Sequence, residues 1–191
     1  TEVTNDRSSS SEDDAGFAGK VAIVTGGGAA ADGIGNGRAA AMLLARSGAK
    51  VLVVDRRLEL AQRTVEMIEA EGGTAAAYAA DVTGEDACRA LIEHAIERFG
   101  RLDFLDNNVG IGSRGSVVEE HADTWRRVMQ VNVESMFLVS KYAIPAMLKS
   151  AGGGAIVNVS SIAAFFPSAG GANYGATKAY LNAFSQALAA D

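Results

Sequence analysis

The stretch Val21-Ala22-Ile23-Val24-Thr25-Gly26-Gly27-Gly28-Ala29-Ala30-Ala31-Asp32-Gly33-Ile34-Gly35-Asn36-Gly37-Arg38-Ala39-Ala40-Ala41-Met42 decides the fold. Its first four residues are apolar and rich in β-branching, which reads as a buried strand. A glycine-rich turn follows, and then a run of helix formers from Arg38 to Arg46, stopped by Gly48 as a C-terminal cap. Glycines in such a turn let a pyrophosphate approach the backbone and leave its charge facing the helix N-terminus. A literal search finds Gly26-x-Gly28-x-x-Ala31, but the helical pattern begins only after Gly35. The Gly33-Ile34-Gly35 end is therefore expected to lie against the helix.

Downstream, Lys50 to Val54 is a second buried strand ended by Asp55, twenty residues beyond Gly35. That is where a carboxylate accepts hydrogen bonds from the hydroxyls of an adenosine ribose. A carboxylate there repels a 2′-phosphate and favours NAD, whereas Arg56 and Arg57 would clamp that phosphate and admit NADP. An amphipathic helix (57–71), a strand (75–80, ending at Asp81), and a helix (84–99) capped by Thr83 follow in order. Leu102 to Asp106 gives a fourth strand, 121–149 a long helical region, Ala155 to Val159 a fifth strand, and Gly175 to Ala190 a final helix. Strands alternating with helices argue for right-handed βαβ units: an α/β fold with a parallel sheet covered on both faces.

Composition narrows the function. The chain has 191 residues, 48% hydrophobic and 21% charged, enough for one globular domain. Its net charge of −6 is concentrated in residues 1–16, which hold five acids against one base and four consecutive serines. They are expected to form a disordered tail ahead of a single domain over 17–191. No basic stripe is visible, so nucleic acid is not expected as a partner. No apolar run reaches the ~20 residues of a membrane span, and no signal peptide opens the chain. The single cysteine, Cys88, rules out an internal disulfide, suggests a cytoplasmic home and is read as a packing residue. His94 and His121 have no ligand-like neighbours, so no metal site is expected.

A second stretch carries chemistry. Tyr174 and Lys178 stand four apart at the start of the last helix and share one face. An ammonium beside a phenol favours the phenolate, so the tyrosine becomes usable as an acid or base near neutrality. Ser161 lies thirteen residues before Tyr174, at the end of the fifth strand, within reach across a small-residue loop.

Together these features resemble the short-chain dehydrogenase/reductase family. Thr25-Gly26 with Gly33-Ile34-Gly35, Asp55, Asp81-Val82, Asn107-Asn108-Val109-Gly110, Val131-Asn132-Val133 and Ser161 with Tyr174-x-x-x-Lys178 match in order over 20–191. The resemblance implies a Rossmann-type, doubly wound, three-layer αβα fold. It also implies an NAD(P)-dependent oxidoreductase that moves a hydride between nicotinamide and a secondary alcohol or ketone. Carried over by position, Tyr174 is the general acid/base and Ser161 holds the substrate oxygen, its spacing to Tyr174 selecting it over Ser160. Lys178 tunes Tyr174 and holds the nicotinamide ribose, while Asn132 binds a relay water. Asp81 and Val82 match the adenine contacts, and Asn108 and Gly110 the segment beside the adenosine. A homodimer or homotetramer is implied, and a non-catalytic dinucleotide-binding scaffold is the alternative.

Three departures from the family pattern stand out. Six residues separate Gly26 from Gly33 where the family has three. Asp106 replaces an apolar strand residue, and a buried carboxylate costs several kcal/mol unless it is paired or protonated. The chain also ends in the last helix, so the resemblance implies missing C-terminal strands and leaves the fifth strand an exposed edge. The loop 111–118 and residues 162–173 are expected to line the substrate pocket, with Ile111, Phe165, Phe166 and Pro167 hinting at an apolar substrate.

Overall fold

A computed structural model describes residues 16–30, 33–166 and 168–190. Apart from Gly16, the expected tail lies outside the described residues, as does Pro167. The elements run β1 (Val21–Thr25), α1 (Asn36–Arg46), β2 (Lys50–Asp55), α2 (Leu58–Ala70), β3 (Thr74–Ala79), α3 (Glu85–Phe99) and β4 (Phe104–Asn107). Then come α4 (Ala122–Met129), a π-helical turn (Gln130–Glu134), α5 (Ser135–Ala151), β5 (Ala155–Asn158), a 3₁₀ turn (Ile162–Ala164) and α6 (Ala172–Leu188).

The five strands form one parallel sheet in the order β3-β2-β1-β4-β5. Each strand sends alternate side chains to opposite faces, and both faces are covered. Ile23, Leu52 and Leu105 pack against Leu91 of α3 and Val139 of α5. Val24, Val51 and Val53 pack against Met42 of α1 and Ile68 of α2. Burying each such side chain stabilises by about 1.5–3 kcal/mol, which explains why β1 is buried along its whole length. This is the three-layer, Rossmann-like architecture that the strand–helix alternation predicts.

The strand order reverses direction between β1 and β4. At that switch point the crossovers leave to opposite faces, and a crevice opens beyond the carboxyl ends of the strands. Thr25, Asp55 and Asn107 end three of those strands and so point their neighbours at the crevice. Among the described residues β5 pairs with β4 alone, and its Val157 is 59% exposed. No described helix is long and apolar enough to cross a membrane.

Two expectations need correction. Thr83 does not cap α3; its hydroxyl and N–H both bond Asp81, and Gly84 occupies the cap position. The 121–149 helix is interrupted by a π turn at Gln130–Glu134. α1 begins at Asn36 directly after its cap Gly35, as the sequence pattern predicts, and Ile34 beside it is 67% exposed.

Candidate functional site

The crevice is floored by residues whose polar side chains are bonded to backbone. The Thr25 hydroxyl donates to the Asp106 carbonyl and accepts from the Asn108 N–H, both at 3.1 Å. Asn108 Nδ2 donates to the carbonyls of Thr25 (3.0 Å) and Gly26 (3.1 Å). These bonds tie the end of β1 to the end of β4 and fix the first turn of the glycine loop. Next door, Asp55 Oδ2 accepts from Gly28 N–H at 3.2 Å and Oδ1 from Arg57 N–H at 3.0 Å. The carboxylate is thus held in one orientation, with lone pairs left for further donors.

α1 must come very close to this turn. A Cβ on Gly37 would sit 2.3 Å from the Gly26 carbonyl oxygen and 2.5 Å from Asn108 Nδ2. Only glycine fits, so Gly37, not Gly35, provides the close helix–strand contact; a Cβ on Gly35 meets nothing nearer than 3.9 Å. Gly37 was missed because the Gly33-Ile34-Gly35 match drew the register two residues upstream. The signal was the Gly35-Asn36-Gly37 triplet itself, set against the first helical residues.

A cleft of about 240 Å³ opens here, lined by Gly26, Asp55, Arg56, Asp81, Val82, Asn108 and Gly110 among others. Seven of the residues singled out for cofactor binding thus meet at one place, while Gly33, Ile34 and Gly35 do not line it. Thr83 holds the Asp81 carboxyl below its usual range by two bonds, and Arg127 and Arg56 add to the effect. Arg127 and Thr83, which the sequence reading left out, line the cleft as well.

The second cluster is built around α6. Tyr174 and Lys178 share its inner face, with the Lys178 ammonium 5.8 Å from the centre of the Tyr174 ring. Lys178 is 3% exposed and donates to the Val159 carbonyl at 2.6 Å. Burial pushes its ammonium below the usual lysine range. A Cβ on Gly110 would come within 3.2 Å of Lys178 Nζ, so the glycine makes room for the lysine beside the cleft. Asn132, 1% exposed, sits in the π turn, a helix irregularity frequent at functional sites. Its side chain pairs with Ile111, accepting from N–H at 2.8 Å and donating to C=O at 2.9 Å. It also donates to Thr177 at 3.0 Å, so it joins the loop after β4 to α6.

The two serines part company. The Ser160 hydroxyl donates to the Lys178 carbonyl. The Ser161 hydroxyl accepts from Ala163 N–H at 3.2 Å, which uses a lone pair and not its proton. Tyr174 lines a further cavity of about 690 Å³ between 112–115 and 168–171. Around this end Ile162, Phe165, Phe166, Val117 and Val118 are exposed. Cys88 lies elsewhere, buried in the core, and its thiol is pushed up to about 12 chiefly by that burial. Among the described residues no cluster of His, Cys, Asp and Glu is placed to hold a metal ion.

A parallel αβα sheet with a glycine turn at its switch point defines a protein of the Rossmann-like fold class. Residues 20–191 match the family model described as short chain dehydrogenase, and the chain belongs to that family. It is 42% identical over 173 residues to 2,5-dichloro-2,5-cyclohexadiene-1,4-diol dehydrogenase LinX of Sphingobium indicum, covering 91% of this chain and 67% of that one. It is 44% identical over 148 residues to the cyclohexanol dehydrogenase of an Acinetobacter species, covering 77% of this chain and 57% of that one. Among solved structures, NAD+-bound xylitol dehydrogenase superposes with a TM-score of 0.85 at 32% identity, over 92% of this chain and 66% of that one. The chain thus spans about two thirds or less of the length of these relatives.

Proposed function

We propose that the protein is a nicotinamide-dependent oxidoreductase that interconverts a secondary alcohol and a ketone, with Tyr174 as general acid/base. The observation that carries this reading is the buried Lys178 ammonium beside the Tyr174 ring, at the edge of a cleft ending in Asp55. The residues fit the cofactor. Gly37 and Gly26 allow the backbone approach that a pyrophosphate needs at the α1 N-terminus. Asp55 offers a fixed acceptor for ribose hydroxyls, and Val82, Asp81 and Asn108 flank the base and sugar. Asp55 favours NAD over NADP by repelling a 2′-phosphate, with Arg56 at the same rim keeping NADP possible. The bound nicotinamide supplies the hydride acceptor for alcohol oxidation, or the donor for ketone reduction.

The chain's own residues do the rest. Tyr174 takes the hydroxyl proton of the alcohol, or gives one to the ketone oxygen. Ser161 donates its free hydroxyl proton to the same oxygen and so aligns it. Lys178, its ammonium 5.8 Å from the centre of the Tyr174 ring, bonds the nicotinamide ribose. Asn132 fixes the Ile111 loop against Thr177, and an oxygen of this residue holds the relay water beside Lys178. Two of the relatives act, by their names, on six-membered-ring alcohols. With the apolar rim at Phe165 and Phe166, this supports a cyclic, apolar secondary alcohol as substrate. Exposed Phe137, Leu148 and Tyr180 on α5 and α6 support a homodimer or homotetramer, and the lone thiol supports a cytoplasmic setting.

The test is turnover of cyclic and linear alcohols with NAD and NADP, followed by nicotinamide absorbance. Oxidation of a cyclic alcohol with NAD preferred is the expected result. Tight NADH binding with no turnover on any alcohol or ketone would make the protein a dinucleotide-binding scaffold instead.

A further inference from the structure

Among the described residues the largest completely buried side chain is a charged one, Arg38 in the first turn of α1, with 0% exposure. A guanidinium is placed there only if its donors are met. Nη1 donates to the Gly33 carbonyl at 2.6 Å and Nη2 to the Ala29 carbonyl at 3.0 Å. Nε donates to the Thr64 hydroxyl of α2 at 3.0 Å, and that hydroxyl passes its own proton to the Gly27 carbonyl at 2.8 Å. One side chain therefore binds both described limbs of the glycine loop and, through Thr64, its first residues.

The direction of these bonds matters for an anion. A loop that holds a diphosphate must turn N–H groups toward it and carbonyl oxygens away. Three carbonyls of the loop, at Gly27, Ala29 and Gly33, are drawn inward by Arg38 and Thr64. A peptide plane turned this way presents its N–H on the opposite side; that of Gly28 is taken by Asp55 Oδ2, and those of Ala30 and Ile34 are left to face an anion. A short loop reaches this state through its own tight turn. With six residues between Gly26 and Gly33, the loop has more conformations to lose.

We propose that Arg38, relayed by Thr64, is the positioning residue that makes the lengthened glycine loop competent to hold the cofactor diphosphate. The inference rests on the dinucleotide reading given above. It concerns residues that do not touch the ligand, so the role is preorganisation.

Titration of the protein with NADH, ADP-ribose and adenosine tests it, using wild type, Arg38→Lys, Arg38→Met and Thr64→Val. Arg38→Met and Thr64→Val are expected to weaken NADH and ADP-ribose about tenfold or more, the loss of a charged hydrogen-bond network. Adenosine, which has no diphosphate, is expected to bind within about twofold of wild type, and kcat at saturating cofactor to stay within about threefold. Arg38→Lys keeps the charge but cannot reach both carbonyls, so it falls between. If Arg38→Met does not fold, Thr64→Val alone decides, since a hydroxyl-to-methyl exchange keeps the volume. Equal loss for adenosine and NADH, or no loss in any variant, overturns the inference while leaving the cofactor reading intact. Wild-type protein that binds no NADH overturns both.

Discussion

The two ends of the crevice are built differently. At the nucleotide end, Thr25, Asp55, Asn108 and Asp81 are each tied to backbone, and the side chains stand ready before any ligand arrives. At the reaction end, Lys178, Asn132, Ser160 and Ser161 are fixed that way. Beyond them, two loops present exposed Phe165, Phe166, Val117 and Val118. On the proposed reading the first end recognises a constant cofactor, for which preorganisation lowers the ordering cost of binding. The second end would then choose the alcohol, and loops carry such variation. The lesson is that the cofactor reading rests on strand ends, whereas the substrate reading rests on loops.

Perturbing each end should separate the two. Lys178→Met strikes the joint between them, and turnover should fall by about 10²-fold or more. Steady-state kinetics at saturating cofactor measures this, and a variant within about threefold of wild type would break the proposed pairing with Tyr174. Gly37→Ala strikes only the nucleotide end. Its Cβ would collide with the Gly26 carbonyl, so stability should fall by about 1–3 kcal/mol in urea titration, with NADH bound more weakly. An unchanged NADH affinity would show that α1 does not sit against the cofactor.

A third perturbation lies beneath the nucleotide end. β4 is flanked and crossed by two aspartates with opposite surroundings. Burial alone would raise the Asp103 pKa, but Arg101, the Val21 N–H and Lys20 hold it below the usual carboxylate value. Asp106 has a buried Oδ1 without a partner, and burial lifts its pKa from 3.8 to about 6. Because the folded state holds the Asp106 proton more tightly than the unfolded chain, this group supports folding below about pH 4 and loses that support as pH rises through about 6. The shift, discounted for partial solvent access, is worth about 1–2 kcal/mol. Asp106→Asn should therefore gain about that much stability at pH 8 and little at pH 4. A gain that does not depend on pH would mean that Asp106 is ionised throughout.

The smallest effect belongs to the loops. Phe166→Ser should leave NADH affinity within about twofold and raise KM for an apolar cyclic alcohol a few-fold, since one exposed ring covers limited area. A change in NADH affinity larger than the change in KM would blur the division between the ends.

How much of this was legible before the structure depends on the interaction that decided each point. The parallel sheet and its two covered faces follow from short apolar runs separated by helical periods, and local pattern carries that information. Asp106 was legible for the same reason, as a charge inside an apolar run. Gly37 was not, because its constraint comes from the Gly26 carbonyl and Asn108, contributed by β1 and by the segment after β4. Nor was the π turn at Asn132, whose amide pairs with Ile111 across the crevice. The Thr83 cap failed because Asp81, two residues back, competes for the same hydroxyl and wins. Arg38 read as one more helix former, since nothing local shows that its guanidinium turns inward to Thr64 and the loop carbonyls.

The central claim is that Tyr174 moves the proton while the crevice holds the cofactor. Tyr174→Phe removes one oxygen and keeps the ring packing beside Lys178. Parallel measurement of NADH affinity and of cyclic-alcohol turnover in this variant tests the claim directly. NADH affinity within about threefold of wild type, with turnover reduced by about 10³-fold or more, is the predicted result. Turnover that survives in Tyr174→Phe at near wild-type rate would contradict it.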